Sequence, residues 1–188
     1  MKQQITKNAI ETAFLKLLRE RNFEKVMVKD IVEECGLTRN TFYYYYDDTY
    51  NIIADILERE IRRILDEVKK GSSLLQAAGE SFEYLDENPK IAKHLFASAK
   101  KDEMYGYVSS AIEIILRQWM DIEIKDVSIP EVDKKVIINT CKYVVQGVLM
   151  EWVQQGMKGS LTEEMERTQA LFSDVLQLAI GNSQKNNQ

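Results

Sequence analysis

Apolar side chains recur at three- and four-residue spacing along most of the chain, and that period predicts helices rather than strands. Ile10, Phe14, Leu17 and Leu18 predict a first helix over residues 6–20, with Thr6 as its N-cap and Asn22-Phe23 marking its exit. A short second helix runs from Val28 to Cys35 with Ile31, Val32 and Cys35 inward, and Gly36 ends it in the left-handed conformation. Thr38 caps a third helix through Tyr45, and Asp48 caps a long fourth one carrying Ile52, Ile53, Ile56, Leu57, Ile61, Ile64 and Leu65.

Beyond Lys69-Lys70-Gly71-Ser72-Ser73 the predicted helices lengthen. Ser73 with Gln76 makes a capping box for a helix through Glu87, and Asn88-Pro89 supplies a cap and a first-turn proline for the next, to about Ala99. Another helix spans 102–124. Ser128-Ile129-Pro130-Glu131 opens one that reaches Gln155, and Gly156 and Gly159 break it. Ser160 with Glu163 boxes the last helix, to about Ile180, and the polar tail from Gly181 to Gln188 reads as frayed.

Composition agrees with this pattern. The 188 residues hold only 8 glycines and 2 prolines, too little punctuation for an all-β fold. With no apolar run of about 18 residues and no basic-then-apolar leader at the front, the chain reads as neither membrane-spanning nor secreted. Cys35 and Cys141 lie among apolar neighbours and read as reduced buried thiols, which points to the cytoplasm. A single histidine, His94, rules out a multi-histidine metal site within one chain, and no metal or other cofactor is expected.

Charge is uneven. Residues 1–46 hold 8 basic and 6 acidic side chains, whereas residues 71–188 hold 12 and 17, so only the front leans basic in a chain of net charge −5. There, residues 28–45 fit a helix-turn-helix, whose second helix enters the DNA major groove. Ile31, Cys35, Leu37, Phe42 and Tyr46 form the inward set, leaving Arg39, Asn40, Thr41, Tyr43 and Tyr44 to face outward or sideways. That outward set contains no acid, as a helix approaching phosphates requires. Arg39 can bond guanine through two hydrogen bonds, Asn40 can bond adenine, and a threonine methyl can touch thymine. Tyrosine hydroxyls can reach phosphates, and Lys25 and Lys29 add charge towards the backbone. Five consecutive aromatics, Phe42 to Tyr46, cannot share one inward face, so some must be exposed.

The run Thr38-Arg39-Asn40-Thr41-Phe42-Tyr43-Tyr44-Tyr45-Tyr46, preceded by Val28 to Leu37 and followed by the Ile52-rich helix, resembles the DNA-binding domain of the TetR family of bacterial transcriptional regulators. The resemblance covers about residues 6–65; the remainder shares only an all-helical plan. It implies a homodimer that reads a palindromic operator, as a repressor, and is released by a small effector bound to the C-terminal domain. By position it places Thr38, Arg39, Asn40 and Thr41 near bases and Tyr43, Tyr45 and Thr49 at phosphates; Lys29 and Tyr44 are added to the DNA-binding candidates by the residue reading above. Three residues depart from the family pattern: Asn40 stands for a glycine, Met27 for a capping Thr or Ser, and Thr49 for a lysine. Loss of that lysine implies a shallower salt dependence than in typical relatives.

The expected architecture is therefore all-α: an N-terminal three-helix helix-turn-helix domain, residues 1–65, joined by a long helix to a larger C-terminal helical bundle, residues 66–188. In the bundle, Val144, Val148, Trp152, Leu171, Val175 and Leu178 lie on stripes wider than one core contact requires and are candidates for a four-helix dimer interface, with Gly147 and Ala170 permitting close approach. Phe82, Tyr84, His94, Phe96, Met104, Tyr107, Trp119, Met120 and Tyr143 suit an apolar effector pocket, and equally an ordinary core. The acidic balance of this half fits a cationic effector or a solvated face, and His94 reads as a structural histidine before a sensor. A protein partner in place of a metabolite stays open.

Catalysis is not expected. Paired Glu-x-x-His motifs need more than one histidine, and no Walker loop, GxGxxG, GxSxG or CxxC pair occurs. The acids Glu163, Glu164 and Glu166 are explained by their place at a helix N-terminus.

Overall fold

The computed structural model describes residues 2–96, 101–123 and 129–185. Among them the chain forms nine α-helices and no strand: α1 (Lys2–Leu18), α2 (Val28–Cys35), α3 (Arg39–Tyr45), α4 (Thr49–Lys69), α5 (Leu74–Glu87), α6 (Pro89–Phe96), α7 (Lys101–Glu123), α8 (Glu131–Gln154) and α9 (Leu161–Lys185). A short 3-10 turn, Phe23–Lys25, links α1 to α2. Ala99, Ile124 and Ser128, proposed as helix ends or openings, lie outside the described residues.

Local chemistry sets most of the ends. Ser73 and Gln76 form the expected reciprocal box, with Gln76 N–H donating to Ser73 Oγ and Ser73 N–H to Gln76 Oε1. Asp48 accepts the Asn51 N–H at 3.0 Å and so caps α4. Two boundaries and one cap differ from expectation. The first helix begins at Lys2, so Thr6 lies within it; Lys and Gln are good helix formers, and Gln4 donates to Asn8 one turn on. At the start of α9, Ser160 Oγ accepts the Glu163 N–H, but Asp86 on α5 takes the Leu161 and Thr162 N–H groups along with both hydroxyls, of Ser160 and Thr162. The tail is helical through Lys185, where buried Ser183 donates to Asp133 on α8.

The chain divides into two compact units, Met1–Arg59 with Asn88–Tyr107, and Glu60–Glu87 with Val108–Gln188. In the first, Ile10, Phe14, Leu17 and Leu18 of α1 are buried with Phe23, Ile31, Phe42, Ile52 and, on α6, Ile91 and Ala92. Phe14 meets Phe23 edge-on, and Phe23 meets Tyr50 likewise. The second unit has one cluster around Leu116, Met120, Ile137, Ile138 and Ile180, and another around Ile64, Val68 and Ala77. Its buried Lys142 is neutralised by Glu113 at 2.7 Å, which holds that carboxyl below its ordinary range.

Candidate nucleic-acid interface

The first unit builds a helix-turn-helix from α2 and α3. Met27 offers no side-chain cap to α2; Asp30 reaches back to accept the Met27 N–H at 3.2 Å, supplying half of a capping box. Gly36, at φ 67° and ψ 27°, ends α2, and the Leu37 N–H returns to the Val32 carbonyl at 2.9 Å. Thr38 then caps α3, its Oγ1 accepting the Thr41 N–H at 3.1 Å and lying 2.9 Å from Thr41 Oγ1.

Around α3 the aromatic run divides as helical geometry demands. Phe42 is wholly buried and Tyr46 nearly so, whereas Tyr43 and Tyr44 are 54% and 71% exposed. Tyr45 is half-buried, with Tyr44 edge-on to it. Thr38, Arg39 and Asn40 are exposed, Thr41 and Thr49 half-buried, and Lys29 exposed on α2. Thus Arg39, Asn40, Tyr43 and Tyr44 present donors outward on a helix that contains no carboxylate.

Pairing sharpens the electrostatics. On α1, Lys7 is tied to Asp55 and Lys16 to Glu34, and Glu11 holds Arg59 through two hydrogen bonds. Arg21 reaches Asp30, and Arg19 donates twice to Asn88. Among the described residues Lys25, Lys29 and Arg39 make no ion pair. Their charge is left for an external anion.

Behind α3, the Tyr46 hydroxyl donates to Asp55 Oδ2 at 2.8 Å. Burial, and then the neighbouring carboxylate, pushes the Tyr46 phenol well above its ordinary value. Burial would raise Asp55 too, but bonds from Lys7 and Tyr46 outweigh it and hold the carboxyl low. Neither Asp55 nor Lys7 is legible as part of this site from helical spacing alone. The available signal was Tyr46 itself, since an inward tyrosine needs an acceptor for its hydroxyl. Cys35 and Cys141 are half-buried free thiols, each pushed up by burial.

The nine residues read as pocket candidates are divided between the units. His94, Phe96, Met104 and Tyr107 belong to the first; there His94 Nδ1 lies 2.6 Å from the Leu18 carbonyl oxygen, Phe96 stacks on Tyr105, and Tyr107 stacks on Tyr50. Phe82, Tyr84, Trp119, Met120 and Tyr143 belong to the second, where Trp119 and Met120 pack into the core and Tyr143 points to solvent.

Of the six interface candidates, Leu171, Val175 and Leu178 are exposed on α9, Val144 is exposed on α8, and Val148 is half-buried. Trp152 is different. It is 1% exposed, and its indole N–H donates to the Gly159 carbonyl, so it serves the interior of its own unit rather than the outer face. Phe172, on the same apolar stripe of α9, is exposed too; sequence reading missed Val132 and the outward direction of Val136, both exposed on α8. Among the described residues no three His, Cys, Asp or Glu side chains are placed to hold a metal ion, and no helix is long and apolar enough to cross a membrane.

Comparison with known proteins gives two family-model matches. A family model described as bacterial regulatory proteins, tetR family, matches residues 10–56, and one described as a transcriptional regulator C-terminal region, of the TetR type, matches residues 72–174. The chain is 35% identical over 49 residues to the uncharacterized HTH-type transcriptional regulator YxbF of Bacillus subtilis, a match covering 26% of this chain and 13% of that protein. It is 24% identical over 104 residues to DhaS of Lactococcus lactis, described as the dhaKLM operon transcriptional activator, covering 55% of this chain and 56% of DhaS. The matched stretches thus span less than two thirds of either relative. Among solved structures, DhaS aligns with a TM-score of 0.65 at 20% identity over 95% of this chain and 96% of its own. A TetR-family regulator from Syntrophomonas wolfei aligns at 0.66 with 16% identity, over 93% and 96%. Both likenesses establish the fold.

Proposed function

We propose, since this chain belongs to the TetR family of bacterial transcriptional regulators, that it binds a palindromic DNA operator as a homodimer and that α3 is the helix entering each major groove. The observation that carries this reading is the acid-free outer face of α3, with Arg39, Asn40, Tyr43 and Tyr44 exposed, together with the unpaired charges of Lys25 and Lys29. Arg39 and Asn40 read base edges, with the Thr41 methyl available to thymine; Tyr43, Tyr44, Tyr45, Thr49 and Lys29 hold the backbone.

The second copy docks on α8 and α9. These helices are tied together near both ends, by Ser183 with Asp133 and by Trp152 with Gly159 of the connecting turn, so their outer stripes make one surface. Residues 169–175 of α9 are all exposed, a stretch that includes Leu171, Phe172 and Val175. A helix bare on every side through two turns has its partner elsewhere, and a twofold copy supplies it while also presenting the second α3.

Repression is the expected direction of control, by occupancy of the operator, although the relative DhaS is described as an activator. Release by a small effector acting on the C-terminal residues is the control we infer, and the match of residues 72–174 to a regulator C-terminal region supports it. In the second unit an open groove of about 300 Å³ along α7, lined by Ser110, Glu113, Ile114, Arg117 and Gln118, offers a polar landing place. An effector that alters the separation of the two α3 helices, set by half-sites about 34 Å or a multiple apart, weakens binding by mismatch without touching DNA.

Selection of bound duplex from a random pool tests the reading. Recovery of a palindrome with two half-sites is the expected result; failure to enrich any sequence refutes it.

A further inference from the structure

One carboxylate oxygen joins three helices of the first unit. Asp55 Oδ2, on α4, accepts the Tyr46 hydroxyl at 2.8 Å and the Lys7 ammonium of α1 at 2.9 Å. Tyr46 closes α3, and the Lys7 nitrogen also lies 5.2 Å from the centre of its ring. The ring alone would fill this buried position, as a phenylalanine does; the hydroxyl adds direction, because it must meet an acceptor at hydrogen-bonding distance and angle.

We propose that Tyr46 and Asp55 form a positioning pair that sets the angle at which α3 meets DNA, and so govern discrimination between sequences more than affinity for DNA as such. The inference rests on the reading of α3 as the groove-entering helix. From Tyr46 back to Arg39 is seven residues, about 10 Å of helix, so a pivot of about 10° at Tyr46 carries Arg39 through roughly 2 Å. Hydrogen bonds to a base edge do not survive that displacement. Attraction between a flexible lysine and a phosphate changes little over the same distance. Loosening the Tyr46 end therefore degrades base reading first and backbone holding last. A neighbouring bridge supplies the contrast: Glu11 and Arg59 tie α1 to α4 through two hydrogen bonds, neither of which is made to a residue of α3.

The probes are the duplex recovered from a random pool by the unmodified protein and a scrambled duplex of equal composition. Dissociation constants for both, with thermal midpoints, are measured for the unmodified chain, Tyr46→Phe, Asp55→Asn, the double variant and Glu11→Gln. Tyr46→Phe is expected to reduce the preference for the selected duplex about tenfold, and Asp55→Asn about threefold or more, with scrambled-duplex binding unchanged. The double variant falls no further than the more affected single one, because the two groups act through one bond. Glu11→Gln lowers the midpoint and leaves the preference intact. Retention of the full preference by Tyr46→Phe overturns the proposal, as does an equal loss in Glu11→Gln, which would mark a general loss of stability. An unmodified protein with no preference between the duplexes overturns the groove-reading role of α3 as well, so the two failures are distinguishable.

Discussion

Leu171→Asp is the most direct test of the proposed dimer face. Leu171 is 64% exposed, so the substitution removes little from its own subunit. Burying a leucine side chain completely is worth about 1.5–3 kcal/mol, and with roughly two thirds of the surface still to be covered each copy stands to contribute ~1–2 kcal/mol at the interface. An isologous interface holds the position twice, so one substitution withdraws ~2–4 kcal/mol, before the cost of desolvating two carboxylates. The dimer dissociation constant should therefore rise by a factor of about 30 to 1,000. Sedimentation velocity over a micromolar concentration series reads this directly: the unmodified chain should run at about twice its 21.8 kDa mass and the variant at the single-chain value. Helical circular dichroism should be unchanged in both, since an exposed leucine is not part of the subunit core. A variant that stays dimeric, or an unmodified chain that is already monomeric, refutes the assignment of this face.

Arg39→Ala should cost about 1–3 kcal/mol on a selected duplex and relax the preference at one base position, whereas equal losses on selected and scrambled duplexes would remove Arg39 from base reading. Lys29→Ala should weaken every sequence alike and lower the slope of log affinity against log salt by about one unit for each phosphate no longer neutralised, as measured by titrations between low and moderate salt. Asp86→Ala, which strips the α9 N-terminus of its external acceptor, should cost about 1–2 kcal/mol and lower the thermal midpoint by ~2–8 °C. The pH dependence has a definite sign. Burial would raise Asp86, but bonds from the Thr162 N–H and hydroxyl, then from Leu161 and Ser160, outweigh it and hold the carboxyl low. The resulting stability is present above the ordinary carboxylate range and is lost as pH falls below about 4, so the acid limb of the stability curve should flatten in Asp86→Ala; an unchanged limb contradicts the assignment.

What could be read from the sequence was local. The bounds of α2, the left-handed Gly36, the Thr38 cap and the Ser73–Gln76 box each depend on groups within a few residues of one another, and each appears in the fold as expected. What could not be read was any interaction set by residues far apart in the chain. Asp86 meets Ser160 across 74 positions, and Ser183 meets Asp133 across 50, so neither the anchoring of α9 nor the order of its tail has a local signature. Trp152 shows the same limit in another form. An apolar stripe says that a helix face leaves water, but not whether the cover comes from the same chain; the Trp152 indole bond to Gly159 decides for the interior, and the bare middle of α9 points the other way.

A net charge of −5 is a poor guide to whether such a chain meets DNA, because charges farther than about 8–10 Å from a phosphate are screened at physiological salt. What matters is which charges near α3 remain uncommitted. Lys7, Lys16 and Arg21 answer the acids Asp55, Glu34 and Asp30, and Glu11 is answered by Arg59, so much of the front end's acidity is neutralised inside the unit. Among the described residues the Arg19 side chain bonds only the neutral Asn88, and within the helix-turn-helix itself Lys25, Lys29 and Arg39 are what this leaves over, in the 3-10 turn, on α2 and on α3. The ion pairs of α1 thus do two jobs: they hold α1 to its neighbours, and they keep carboxylates from competing with phosphate for the few cations that face outward. With so few free cations there and a threonine opening α4, the proposed hold on the DNA backbone would rest largely on neutral donors such as Tyr43 and Tyr44, which release no counterions. On the proposed reading, recognition would then depend more on the shape and hydrogen bonds of the groove than on charge, which would make the angle of α3 matter more here than in a strongly basic binder.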